Sequence, residues 1–260
     1  MAVLRTEKLT LAYDATPVVT ELSVEIPAGR ITVIVGANAC GKSTLLRGLA
    51  RLLAPKDGAV YLDDADLAGL SGSTLATKLG MLPQQPVAPD GITVSDLVGR
   101  GRHPHQRWFR QWSAEDERVV AAALEATGTS DLATRSLDEL SGGQRQRMWI
   151  ALAQDAETML LDEPTTFLDL AHQLEILDLV QDLNRDRGKT IVLVLHDLNL
   201  AARYADHLIA LKSGEIVAQG SPSDIITAAL VEHVFSLPCQ IIEDPLTGTP
   251  LVLPRPRRTH

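Results

Sequence analysis

The sequence predicts an α/β fold with a parallel sheet at its centre, and three observations predict it. From Thr158 the chain reads strand, helix, strand: apolar Met159 to Leu161, amphipathic Leu170 to Arg187, then apolar Thr190 to Leu195. Strands alternating with helices pair in parallel, and their ligands lie beyond the carboxyl ends of the strands. Earlier in the chain, the apolar run Ile31 to Val35 passes through a glycine-bearing turn into a helical stretch, Leu45 to Leu53. Between these, residues 86–157 look mostly helical and carry Trp108, Trp112 and Trp149. At 260 residues and 45% hydrophobic content the chain can bury one large core or those of two modest lobes.

Taken in order, residues 1 to about 85 read as short strands with turns: Val18 to Ile26, then Pro27-Ala28-Gly29, then Ile31 to Val35. In the helix Leu170 to Arg187, Leu174, Leu177, Val180 and Leu183 recur at three-residue steps and are assigned to one apolar face. Gly188 suits its C-terminal cap. Ser221-Pro222-Ser223-Asp224 reads as an N-cap followed by proline at the first helical position, opening a helix near the C-terminus. Texture divides the chain at 1–85, 86–157, 158–222 and 223–260, with no internal repeat and no low-complexity segment.

Composition excludes several classes. The longest apolar runs, such as Met148 to Ala153, fall far short of the ~20 residues that span a bilayer. The N-terminus lacks the charged-then-apolar layout of a secretion signal, and two cysteines, Cys40 and Cys239, make no disulfide framework; both point to the cytoplasm. A net charge of −9 argues against a nucleic-acid partner. The basic cluster Arg255, Arg257 and Arg258 reads as a solvated tail.

The turn after Ile31–Val35 is Gly36-Ala37-Asn38-Ala39-Cys40-Gly41-Lys42-Ser43-Thr44, a full G-x-x-x-x-G-K-[ST] match with a strand before it and a helix after. Its glycines let backbone N–H groups approach phosphate oxygens, and the helix N-terminus adds positive potential. Lys42 suits the β and γ phosphates, and the Ser43 hydroxyl suits Mg²⁺. Cys40, inside the loop, is either a thiol activated by the helix N-terminus or a small packing residue.

A second apolar run, Thr158 to Leu161, ends in Asp162-Glu163-Pro164. Carboxylates at the end of a core strand face the phosphate crevice, where Asp162 can hold Mg²⁺ through water and Glu163 can orient or deprotonate an attacking water. A third segment, Leu140-Ser141-Gly142-Gly143-Gln144, opens the helix Arg145 to Ala153 as a capping box, Ser141 the cap and Gln144 reaching back. Two glycines in a first turn each cost ~1 kcal/mol relative to alanine. That cost makes sense where phosphate touches backbone, and a second phosphate-binding helix start suggests ATP shared between two copies.

With these motifs in this order, almost the whole chain resembles the ATP-binding-cassette (ABC) ATPases, Leu140 to Gln144 being similar to their signature. The resemblance implies a P-loop NTPase core with a mixed sheet, an antiparallel β subdomain and a helical subdomain. Residues 1–85 and 158–222 then form the core, 86–157 the helical part and 223–260 a C-terminal helix and tail. It further implies roles that spacing does not: Tyr13 stacking on adenine, Gln84 sensing Mg²⁺, Asp169 linking two ATP sites and His196 contacting the γ-phosphate. The sequence departs from the family between Ser141 and Asp162, which is about two residues short; two residues of helix correspond to a rotation of ~200°.

Within the family the phrases Gly91-Ile92-Thr93-Val94, Gly99 to Pro104, Glu163 to Gln173 and Leu246 to Pro250 resemble the ATPases of ferric-siderophore, haem and vitamin B12 importers. What the resemblance implies is a homodimer on the cytoplasmic face of the membrane. It is joined to permease subunits through the segment Gln84 to Arg107, and only indirectly to a substrate-binding protein. His103-Pro104-His105 reads as a loop at that contact, not as a metal site. A non-transport cassette ATPase and a P-loop metabolic kinase are the other readings. The first usually carries tandem cassettes or a coiled-coil insertion, and the signature segment disfavours the second.

Overall fold

A computed structural model describes residues 2–105, 112–153 and 155–255. Arg107, Trp108, Arg257 and Arg258, which figure in the sequence reading, lie outside the described residues. In chain order the elements are β1 (Ala2–Tyr13), β2 (Thr16–Pro27), β3 (Ile31–Gly36), α1 (Lys42–Leu49), β4 (Asp57–Leu62) and β5 (Ala65–Asp66). Next come α2 (Gly72–Lys78), β6 (Leu79–Leu82), α3 (Val94–Gly99), α4 (Ala114–Ala126), α5 (Gly142–Ala153), β7 (Thr158–Asp162), α6 (Leu170–Arg187) and β8 (Thr190–Val194). The chain closes with α7 (Leu198–Tyr204), β9 (His207–Lys212), β10 (Glu215–Gly220), α8 (Pro222–Ile225), α9 (Ala228–Phe235), β11 (Cys239–Glu243) and β12 (Pro250–Pro254). Two compact units result: residues 1–68 with 192–260, and residues 69–191.

The first unit holds an antiparallel sheet, β2-β1-β4-β5, and a mixed one in which β3 pairs parallel with β9 and β9 antiparallel with β10. The P-loop core, mixed sheet and antiparallel β part are thus all present. The first strand differs from expectation: β1 runs for 12 residues, tolerating Lys8 at φ 45 because register shifts between Thr6 and Leu11 absorb the irregularity. β3 is buried at every position, as a strand packed on both faces must be. The helix after it also differs from the predicted Leu45 to Leu53. It starts at Lys42 and stops at Leu49, because Arg51 turns left-handed (φ 57) and Leu53 N–H closes back on the Arg47 carbonyl at 3.2 Å.

The second unit is mostly helical, with β6 and β7 paired in parallel from Leu79↔Thr158 to Leu82↔Leu161. α6 matches its predicted bounds and its cap, Gly188 at φ 63. Its buried face, however, is Ile176, Leu177, Val180 and Leu183, with Leu174 only half-buried. At ~100° per residue, nine residues carry Leu174 about half a turn away from Leu183, whereas Ile176 falls almost in line with it. Between Ser141 and Asp162, α5 ends at Ala153 and β7 starts at Thr158, leaving residues 154–157 as the connection, of which Gln154 lies outside the described residues. That connection is braced by Arg102 to Asp155 (2.5 Å), Lys189 Nζ to the Ala156 carbonyl (2.6 Å) and Thr190 N–H to the Glu157 carbonyl (3.1 Å).

Candidate active site

In the first unit the buried β3 delivers the chain to residues 36–44, where Gly41 takes φ 105 and lets α1 begin at once at Lys42. Lys42 is 5% exposed. Its ammonium donates to the Gly36 carbonyl at 2.9 Å and the Ala37 carbonyl at 3.0 Å, curling the loop around its own lysine. Asn38 and Ala39 stand exposed at the tip, Ser43 is half-buried and Thr44 buried. Cys40 is 6% exposed, and its sulfur lies 2.6 Å from where a Cβ on Gly36 would sit, so it packs the loop from within. Behind the loop, Gly214 in the β9–β10 turn donates its N–H to the Cys40 carbonyl at 2.9 Å.

Tyr13, at the end of β1, is 43% exposed, and its hydroxyl accepts from Arg47 of α1 at 3.2 Å. His196 stands exposed just past β8. The next residue, Asp197, caps α7 by accepting from Asn199 N–H (2.8 Å) and Leu200 N–H (3.0 Å). The C-terminal hairpin β11–β12 holds α7 from outside. Asn199 accepts from Val252 N–H at 2.7 Å and donates to the Val252 carbonyl at 3.3 Å, while Arg203 pairs with Asp244 at 2.8 Å. That guanidinium, with the Leu246 backbone N–H, lowers the Asp244 carboxyl to about 2.

In the second unit Asp162 ends β7 at 2% exposure, and the chain then turns at Glu163, whose φ is 52. That turn brings the Glu163 carboxylate to Gln84, which donates to Oε2 at 2.6 Å, and to Thr166, whose hydroxyl donates to the same oxygen at 3.1 Å. Gln84 is 79 residues away in sequence and is brought here by the parallel β6–β7 pairing. The predicted capping box is formed: Ser141 N–H donates to Gln144 Oε1 (3.0 Å) and Gln144 N–H to Ser141 Oγ (3.3 Å). α5 therefore starts at Gly142, three residues before the expected Arg145. Ser141, Gly143 and Gln144 line a polar hollow of about 250 Å³ together with Arg147, His172 and Glu175. Asp169 caps α6, and the His172 backbone N–H, then its ring, hold this carboxyl below the usual range.

Four residues here carry no role in the sequence reading. Arg47 meets Tyr13 only because α1 packs on β1, and Gly214 meets Cys40 across the mixed sheet. Thr166 and His172 each sit three residues after a carboxylate they bond, Glu163 and Asp169. That local spacing was the available signal.

The family model for the ABC transporter matches residues 19–166, a stretch containing the loop 36–44, Ser141 to Gln144 and Asp162-Glu163. The chain belongs to the ABC transporter family. As such it is an ATP-binding, ATP-hydrolysing protein with the ABC ATPase fold. This ABC cassette is 54% identical to the achromobactin transport ATP-binding protein CbrD of Dickeya dadantii, over 98% of this chain and 95% of that one. It is likewise 54% identical to the ferric enterobactin transport ATP-binding protein FepC of Escherichia coli, over 98% and 94%. Among solved structures, a metal-chelate type ABC transporter in an inward-facing conformation matches at TM-score 0.84 and 30% identity, covering 98% of this chain and 97% of that one. A dimeric ATP-binding cassette in a post-hydrolysis state, bound to ADP and Pi, matches at TM-score 0.73 and 28% identity, over 84% and 98%.

Proposed function

We propose that this ABC cassette is the ATP-hydrolysing subunit of an importer that energises uptake of ferric siderophores. The observation that carries the cargo class is 54% identity across nearly the whole chain to ATP-binding proteins named for achromobactin and ferric enterobactin transport. Two copies sandwich two ATP molecules on the cytoplasmic face of the membrane, beside permease subunits that receive cargo from a substrate-binding protein. The dimeric cassette bound to ADP and Pi supports that arrangement. Among the described residues no helix is long and apolar enough to cross a membrane.

In this reading the loop backbone at Gly36, Asn38, Gly41 and Thr44 and the Lys42 ammonium bind phosphates, while Tyr13 takes the adenine ring. Ser141, Gly143 and Gln144 of one copy meet the ATP held by the other, and Asp169 reaches across with them. The Ser43 hydroxyl, the Gln84 amide oxygen and the Asp162 carboxylate are each hard oxygen donors, the ligand type that Mg²⁺ takes, and each is assigned to it in this reading. When bound, Mg²⁺ would supply positive charge against the phosphates. Glu163 orients the attacking water and accepts its proton, and His196 contacts the γ-phosphate. Gln84 is hydrogen-bonded to the Glu163 carboxylate and begins the segment to Arg107 that faces the permease, so one amide ties catalysis to coupling.

Glu163→Gln tests the assignment. ATP turnover falls by about 10²- to 10⁴-fold while ATP binding persists and the protein accumulates as a dimer. Captured with ATP from detergent-solubilised membranes, that variant brings down a many-helix permease of the iron-chelate type. Normal turnover refutes the role of Glu163, and capture of soluble partners alone refutes the transport reading.

A further inference from the structure

We propose that His172 is a positioning residue that locks the signature turn at Gly143 to the loop of Asp169, so that both meet the nucleotide as one body. This rests on reading Ser141 to Gln144 as a phosphate-binding turn. A single imidazole touches both segments. Its Nδ1 lies 2.8 Å from Asp169 Oδ1, and because a carboxylate only accepts, Nδ1 is the donor. The same oxygen takes the His172 backbone N–H at 3.0 Å, so Asp169 is held by its own cap and by the ring together. On the other side the ring covers Gly143: a Cβ built there would lie 2.5 Å from His172 Cδ2. One turn further along both helices, Arg147 of α5 pairs with Glu175 of α6 at 2.5 Å, fixing the same two N-terminal turns a second time.

This arrangement gives Gly143 a second reason for lacking a side chain. A phosphate close to the backbone is one; the imidazole occupying the Cβ position is the other. Asp169 is otherwise well exposed, its side chain 68% accessible, and without the ring it keeps only its helix-capping bonds. The segment that reaches toward the partner copy would then swing independently of the turn that contacts phosphate. Geometric slack of about 1 Å between cooperating groups costs of the order of 100-fold in rate.

The experiment uses the full chain and five substitutions. His172→Ala lowers kcat about ten- to a hundredfold, while affinity of the monomer for a fluorescent ATP analogue stays within about twofold. His172→Phe keeps the ring over Gly143 and drops the donor; His172→Asn keeps a donor at the Nδ1 position and uncovers Gly143. Each recovers part of the loss. Gly143→Ala costs about tenfold less in the His172→Ala background than in the parent, because the overlap with the ring is gone. Parent-like turnover in all three His172 variants, or losses that multiply independently in the double variant, overturns the proposal. Glu163→Gln separates the two readings: if it cuts turnover as expected while the His172 variants turn over like the parent, this inference alone fails. If Glu163→Gln turns over normally, the reading of the catalytic site fails first.

Discussion

Gly214→Ala provides the most quantitative test of how the fold supports the nucleotide loop. Gly214 sits at φ 82, and a Cβ there would lie 2.2 Å from the Val18 carbonyl oxygen. An ordinary carbon–oxygen contact is about 3.3 Å, so the β9–β10 turn must retreat by roughly 1 Å. Retreat lengthens the Gly214 N–H to Cys40 carbonyl bond from 2.9 Å beyond hydrogen-bonding range. The left-handed conformation costs a non-glycine residue about 1 kcal/mol. The lost bond, with the Cys40 carbonyl stranded, costs about 2 kcal/mol more. The total of about 3 kcal/mol lowers Tm by roughly 6–12 °C in a chain of this size. Because Cys40 lies within residues 36–44, affinity for a fluorescent ATP analogue falls as well. Gly214→Asn, which tolerates positive φ but carries the same Cβ, is expected to be nearly as damaging as alanine. Full recovery by asparagine refutes the overlap argument. An alanine variant with unchanged Tm and affinity refutes the claim that this turn supports the loop.

Two further predictions concern the C-terminal hairpin. Asn199→Ala removes both bonds to the Val252 backbone and costs about 2 kcal/mol, and amide exchange at Val252 speeds up while α6 is unaffected. The Asp244 carboxyl is lowered from 3.8 to about 2, so its contribution is fully present above pH 3.8 and is lost as pH falls through about 2. Asp244→Asn therefore lowers stability at pH 5, and its melting curve converges with the parent's near pH 2; a constant difference across that window contradicts the assignment.

How much of this was readable in advance follows from how far apart the cooperating residues lie. Gly36 to Thr44 and Ser141 to Gln144 are contiguous, and their strand–turn–helix settings are local, so type and order sufficed to find them. The capping box at Ser141 and the Gly188 cap were legible for the same reason. The apolar face of α6 was misplaced because counting in threes drifts away from the true helical repeat. Gln84 and Asp169 came only through resemblance, since nothing local distinguishes one loop glutamine or aspartate from another.

By itself, then, the sequence determined that this protein carries a G-x-x-x-x-G-K-[ST] loop between a strand and a helix, places carboxylates at a strand end and belongs among the ABC ATPases. Backbone conformation, helix starts and turn chemistry act over a few residues and are written in their order. Tertiary structure alone decided that Gln84 bonds Glu163, that Arg47 faces Tyr13, that the Gly214 turn supports Cys40 and that the Asn199 clamp ties the β11–β12 hairpin to α7. Each joins residues more than 30 positions apart. Such pairs depend on which strands lie side by side and how helices pack on them, and that is settled by burying the apolar faces of the whole chain at once.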